Sequence, residues 1–217
     1  MTRIQRETVA DKSAAALRDR ILDGTLRPGT AVTEDAVADD LGVSRATVRQ
    51  ALNTLMLEGI LTRHPTTRVL QVTELSGDDV RDIYRARRFL ELGGVDAAAH
   101  APPEAMARLA DAVRELEKTV ADNDALGFVK ADFRCHAEIV ALLGSAHLSA
   151  AHAQLMSKLR LAVTQLNVHK NGNQDDLVVH QEFLALLTDG DTKRARKNLA
   201  QRFDDAERDV LGHATAD

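Results

Sequence analysis

Apolar residues fall into helical stripes along most of the chain. Ala14, Leu17, Ile21 and Leu22 share one face of a segment over 10–23 that Gly24 closes, and Leu26-Arg27-Pro28-Gly29 reads as a turn. Thr33 can cap a short second helix, with Glu34 and Asp35 in a first turn whose dipole suits negative charge, and Val37 and Leu41 inward before Gly42 stops it. Ser44 caps a third helix with Val48, Ala51, Leu52 and Leu55 as its inner face, ended by Gly59. Residues 60–63 and 68–72 then read as two short strands around His64-Pro65-Thr66-Thr67. Helix, helix, turn, helix, hairpin predicts a winged helix-turn-helix. From Ser76 onward the pattern is helical only, in six segments near 77–100, 103–122, 124–143, 146–169, 175–188 and 191–211. Pro102-Pro103, Asn123, Gly144-Ser145, Asn171-Gly172-Asn173 and Asp189-Gly190 separate them. Such short connections predict an antiparallel bundle. The expected fold is therefore mainly α: a winged helix-turn-helix with a small β-hairpin wing over 1–74, and an all-α antiparallel helical bundle over 75–217.

Composition agrees with a helical, water-borne chain. The 217 residues are 44% hydrophobic and 28% charged, with 3% aromatics, no Trp and a single Tyr, fewer than a β-sandwich or barrel usually carries. No apolar run approaches the length of a membrane span, and no apolar h-region follows Met1-Thr2-Arg3-Ile4-Gln5-Arg6. One cysteine, Cys135, has no partner for an internal disulfide. A cytoplasmic protein is expected.

The net charge of −5 argues against nucleic acid until it is divided along the chain. Residues 1–74 balance ten Lys/Arg against ten Asp/Glu, and residues 44–70 carry Arg45, Arg49, Arg63 and Arg68 against Glu58 alone. Local basic charge suffices to meet a phosphate backbone. In Ser44-Arg45-Ala46-Thr47-Val48-Arg49-Gln50, Arg45 and Arg49 lie four apart on the outward face, beside Thr47 and Gln50. A polar outward face at the N-terminal end is what a helix needs to enter the major groove, where Arg forks onto guanine or phosphate. Two aligned arginines alone would read as a solvated helix face; the helix-turn-helix spacing and the hairpin tip the balance.

Residues 11–72 resemble the DNA-binding domain of the GntR family of bacterial transcription regulators. The resemblance rests on Leu26-Arg27-Pro28-Gly29, Leu41-Gly42-Val43-Ser44-Arg45, Val48-Arg49-Gln50-Ala51-Leu52 and Leu57-Glu58-Gly59-Ile60-Leu61. It implies base and phosphate contacts from Arg45, Thr47 and Arg49, with Thr33 and Ser44 beside them. It also implies a wing that reaches the adjacent groove through His64, Thr66, Thr67 and Arg68. The family's wing tip usually has two glycines where this chain has Thr66 and Arg68. The wing contact is then expected from side chains rather than closely approaching backbone.

In the second half, polar residues interrupt apolar stripes. One stripe runs Phe128, Asp132, His136, Ile139, Leu143, and another runs Leu177, His180, Leu184, Leu187. A carboxylate and two imidazoles pointing into one bundle can hold a divalent transition metal. Equally, each histidine can be a satisfied core residue with Asp132 orienting His136, and spacing alone does not choose. Arg87 precedes Glu91 by one turn near Tyr84, which by itself reads as an exposed i,i+4 ion pair. Arg202 lies between Leu199 and Ala206, beside Phe203. Cys135 reads as a packed thiol, and His147, His152 and His169 as surface or core.

Residues 77–211 resemble the FadR-type ligand domain of the same family, called FCD, in its shorter, VanR-like six-helix branch. The supporting words are Tyr84-Arg85-Ala86-Arg87-Arg88-Phe89-Leu90-Glu91, Asp132-Phe133-Arg134-Cys135-His136, and His180 followed by Gly190-Asp191. Many such domains hold a metal with one Asp and three His, and the metal helps bind a small carboxylate. Asp132, His136 and His180 match three of those positions; the fourth falls where this chain has Arg202, and His213 is too far along to substitute. The resemblance thus implies either three protein ligands completed by water or effector, zinc being the default ion, or no metal and Arg202 as the positive charge. It implies Arg87, Arg202 and Tyr84 as the effector's contacts. The expected function is a ligand-responsive transcription regulator, a repressor, that binds an inverted-repeat operator as a homodimer and answers to a small carboxylate. Two alternatives stay open: a metal-dependent enzyme with a 2-His-1-carboxylate centre, and an effector-free DNA-architectural protein.

Overall fold

The structure is a computed structural model that describes residues 7–165 and 174–214. His169, the side chain of His213 and the expected break at Asn171-Gly172-Asn173 lie outside the described residues. The chain divides into two compact units. The first runs to Ser76 and adds a segment beginning at Ser157; the second holds Gly77–Met156 and the C-terminal helices. No helix among the described residues is long and apolar enough to cross a membrane.

In the first unit, α1 (Val9–Leu22) starts at a capping box: Asp11 N–H donates to the Thr8 hydroxyl while the Asp11 carboxylate accepts from Thr8 N–H. Thr33 caps α2 (Glu34–Leu41), and Gly42 ends it in the left-handed conformation at φ +65°, where a Cβ would be strained. This turns the chain into α3 (Arg45–Leu57), capped by Ser44. β1 (Leu61–Arg63) and β2 (Leu70–Val72) pair antiparallel with Leu61 opposite Val72. The stripes read from the sequence meet in one core, in which Leu17, Ile21, Val48, Leu52, Leu55, Ile60 and Val72 are buried. Leu161 from the second half of α7 (Ala146–Gln165) joins this core, and Thr164 Oγ1 donates to Leu22 O at 2.9 Å. The expected 75–217 bundle assigned all of α7 elsewhere. No Gly or Pro interrupts 146–165, so nothing in its period marks the point where the helix changes cores.

The second unit contains α4 (Gly77–Ala97) with a short 3-10 turn behind it, α5 (Pro103–Ala121), α6 (Ala125–Ala141), the first half of α7, α8 (Gln174–Thr188) and α9 (Thr192–Ala214). Pro103 opens α5, where its missing N–H costs nothing, and Asp124 caps α6 by accepting from Gly127 N–H. α4 packs on α6 and α9, α5 on α6 and α8, and α8 on α9. At Gly94 the α4 backbone comes so close to α6 that an added Cβ would sit 2.1 Å from Ile139 O. Gly94→Ala is therefore expected to destabilise the helical unit by about 1–3 kcal/mol, since backbone must move to admit the methyl group. Urea denaturation followed by circular dichroism measures this, and an unchanged midpoint would show that the helices separate freely there.

Candidate functional site

Each unit presents one candidate site. In the first, the Ser44 cap directs the first turn of α3 outward. Arg45, Arg49 and Gln50 are exposed, and Thr47 is half-buried with its hydroxyl 2.9 Å from the Ser44 hydroxyl. Neither arginine is bare. Arg49 Nε and Nη2 donate to the two Glu34 carboxylate oxygens at 2.8 Å each, and Arg45 Nε lies 2.6 Å from Asp35 Oδ1. The Arg49 hydrogen bond holds the Glu34 carboxyl below its ordinary range. The sequence reading gave these acids only a helix-dipole role, because period does not show which helix start faces which.

Thr33 and Ser44 both spend their hydroxyl oxygens on capping, accepting from Ala36 N–H and Thr47 N–H. His64 builds the wing turn: its Nδ1 accepts from Thr66 N–H at 3.2 Å and Thr67 N–H at 3.1 Å. Thr66, Thr67 and Arg68 are exposed at the tip. Arg68 itself takes the left-handed conformation at φ +61° that a glycine would adopt without strain. Between α3 and the hairpin lies a cleft of about 350 Å³ lined by Thr33, Glu34, Arg49, Asn53, Arg63 and Arg68. Glu34, Asn53 and Arg63 were not among the expected site residues.

The second site is a buried polar chain across α4, α6, α7, α8 and α9. Glu91 is its hub at 0% exposure. Its Oε1 accepts from Arg87 Nε at 3.1 Å and lies 3.0 Å from His152 Nε2; its Oε2 lies 2.5 Å from His136 Nδ1. The Arg87–Glu91 pair, which its i,i+4 spacing by itself would place at the surface, is thus buried. The reason is visible in the packing: the Arg87 guanidinium lies 5.3 Å from the Tyr84 ring centre and 5.1 Å from that of Phe203. Tyr84 is 1% exposed, and burial pushes its phenol up to about 12. His152 belongs to the chain as well. The missed signal was Glu91 itself, a carboxylate on the α4 face shared by Val80, Tyr84 and Val95.

Burial would raise the Glu91 carboxyl, but His136 and Arg87 against it hold it well below the usual carboxylate range. Burial pushes His136 down to about 4 against the pull of Glu91. Facing the Glu91 carboxylate, which can only accept, His136 Nδ1 carries the N–H that donates to it, and Nε2 is the ring nitrogen turned the other way. His180 Nδ1 lies 2.7 Å from Asp176 O, an acceptor only, so that nitrogen carries the proton and Nε2 the lone pair. Both Nε2 atoms turn toward Asp132: Oδ1 is 3.0 Å from His180 Nε2 and 3.7 Å from His136 Nε2. The three buried side chains offer ligand atoms within 4.8 Å of one another. Two imidazole nitrogens whose other ring N–H is fixed by an acceptor, facing one carboxylate, are a donor set that fits a divalent ion. Cys135 stays apart: it packs with Ala112 and Val113, and burial raises its thiol to about 12.

Arg202 reaches the same cluster. Its Nη2 lies 2.5 Å from His180 Nε2 and 4.0 Å from Asp132 Oδ1. Its Nη1 is buried without a hydrogen-bond partner among the described residues. Burial lowers its pKa, opposed by Asp132 and Glu91.

Comparison with known proteins agrees for both units. Residues 10–69 match the bacterial regulatory proteins of the gntR family, and residues 82–205 match the FCD domain. A regulator from Streptomyces ambofaciens, described as an uncharacterized HTH-type transcriptional regulator in an unstable DNA locus, is 32% identical over 88% of this chain and 82% of its own length. The gluconate operon transcriptional repressor of Bacillus licheniformis is 23% identical over 94% of this chain and 86% of that protein. A crystal structure of a GntR transcriptional regulator from Rhodococcus sp. RHA1 superposes with a TM-score of 0.80 at 27% identity, covering 94% of this chain and 97% of the other.

Proposed function

We propose, from the premise that this chain belongs to the gntR family of bacterial regulatory proteins and carries an FCD domain, that it is a cytoplasmic repressor whose operator binding is set by a small carboxylate. Regulation of transcription comes with the family; the repressor role, effector, metal and dimer are our reading. The observation that carries the effector is Arg202 Nη1, a buried guanidinium nitrogen with no acceptor among the described residues, beside the Asp132–His136–His180 cluster. Burying such a group unpaired costs free energy that a bound anion would return. Asp132, His136 and His180 would hold the divalent ion, zinc by default, which supplies positive charge for a carboxylate. A repressor among the relatives supports the direction of control.

In the DNA-binding unit, Arg45, Thr47 and Arg49 would read the major groove, with Thr33 and Ser44 at the helix starts. Thr66, Thr67 and Arg68 would follow the neighbouring backbone, held in place by His64. One such unit spans one half-site, so an inverted repeat calls for a homodimer. Phe89, 81% exposed on α4, supports a dimer built by the helical unit. The effector acts by binding better to one arrangement of the two DNA-binding units than to the other.

Gel shifts on the DNA upstream of its own gene, with and without a panel of small mono- and dicarboxylates, test this reading. A retarded band that a carboxylate abolishes is expected, together with a dimer by sedimentation at micromolar concentration. Binding that no carboxylate alters would remove the effector, and a monomer with and without DNA would remove the dimer.

A further inference from the structure

We propose that Arg202 is the resident cation of the buried Asp132–His136–His180 cluster and competes with a divalent metal for it, so that guanidinium and metal are mutually exclusive occupants. The inference rests on the reading of those three residues as a metal ligand set. It adds that this chain carries its own competitor for that set.

The argument begins with one lone pair. Because His180 gives its Nδ1–H to Asp176 O, its only free acceptor is the single Nε2 lone pair. Arg202 Nη2 sits 2.5 Å from that nitrogen. A metal bound to His180 would use the same lone pair at about 2.0–2.1 Å. One lone pair cannot serve both, and two cations at that separation repel. His180 Nε2 and Asp132 Oδ1 are 3.0 Å apart, and positive charge beside them favours both. The guanidinium supplies the charge now in place.

The structure also offers Arg202 a second seat. A groove of about 730 Å³ runs between α8 and α9, and Arg202, Asn198, Glu182 and Asp205 are among the residues along it. Asn198 lies one turn before Arg202 on α9, near enough for the two side chains to meet. Among the described residues its Oδ1 is buried without a donor, as Arg202 Nη1 is without an acceptor. A guanidinium that swings out of the cluster into the groove gives Asn198 Oδ1 its hydrogen bond and has the carboxylate of Glu182 along the same groove. Metal-out with guanidinium-in and metal-in with guanidinium-out are thus both provided for. Anything that holds Arg202 in the groove, including an anion bound there, strengthens metal binding by linkage.

Cobalt(II) titration followed by visible absorption tests this on the full-length protein, with Arg202→Met to keep the side-chain bulk and Arg202→Gln as the second variant should the first fold poorly. The variant is expected to bind cobalt at least tenfold more tightly than the wild type. Adding His180→Ala to it should abolish the gain. In EDTA the variant is expected to melt below the wild type, because the cluster has lost its cation, and cobalt should close the gap. A smaller or opposite change in affinity, or a variant that melts at or above the wild type in EDTA, would overturn the competition and leave the metal reading standing. No cobalt binding in any of the proteins would overturn both.

Discussion

Replacing Arg49 by alanine is expected to weaken operator binding roughly 5- to 150-fold if its guanidinium forks onto a base, and Arg45→Ala by a similar factor. Both side chains are exposed at the groove-facing end of α3, and neither belongs to the buried core, so the melting temperature should barely move. Their ion pairs refine the expectation. Arg49 holds both oxygens of Glu34, and Arg45 holds Asp35. DNA must draw these arginines away from the acids, or the acids must stay and aim them. Titration at several salt concentrations separates two roles. Loss of a phosphate contact lowers the salt slope by about 1 and weakens all sequences alike, whereas loss of a base contact falls on the operator alone. Unchanged operator affinity in both variants would remove α3 as the reading helix.

The elements were legible because their signals are local. Thr33 and Ser44 cap helices where the sequence says they should, and Gly42 ends α2 in the one conformation that favours it. Asp132, His136 and His180 stood out as polar breaks in apolar stripes, and the structure brings them together. What stayed hidden depends on which faces meet. Glu91 and Arg87 form an i,i+4 pair of a kind found on countless surfaces; only the packing of Tyr84 and Phe203 around the guanidinium shows that this one is buried. His152 carries no sequence mark at all, since its partner is 61 residues away. The wing shows the opposite limit. The missing glycines were plain to read, but that Arg68 itself would take the left-handed conformation was not. The second half of α7 joining the first unit's core was equally silent, because the helix runs on without a break.

Removing the charge of Glu91 is expected to have the largest effect on stability. Glu91→Gln leaves the Arg87 guanidinium, 4% exposed and packed between two rings, without its counter-ion. Breaking a buried pair from one side typically costs about 3–5 kcal/mol, because the remaining charge stays desolvated and uncompensated. His136 and His152 also lose the carboxylate that fixes them, and glutamine's single carbonyl oxygen replaces only part of that. Urea denaturation of the variant should show the drop directly. A double variant, Arg87→Met with Glu91→Gln, isolates the cause. If the stranded charge is what costs, removing Arg87 as well should recover a large part of the loss, so that the two changes are far from additive. A Glu91→Gln protein within about 1 kcal/mol of the wild type would show that water or a neighbour neutralises Arg87, and that the hub is not holding α4, α6 and α7 together.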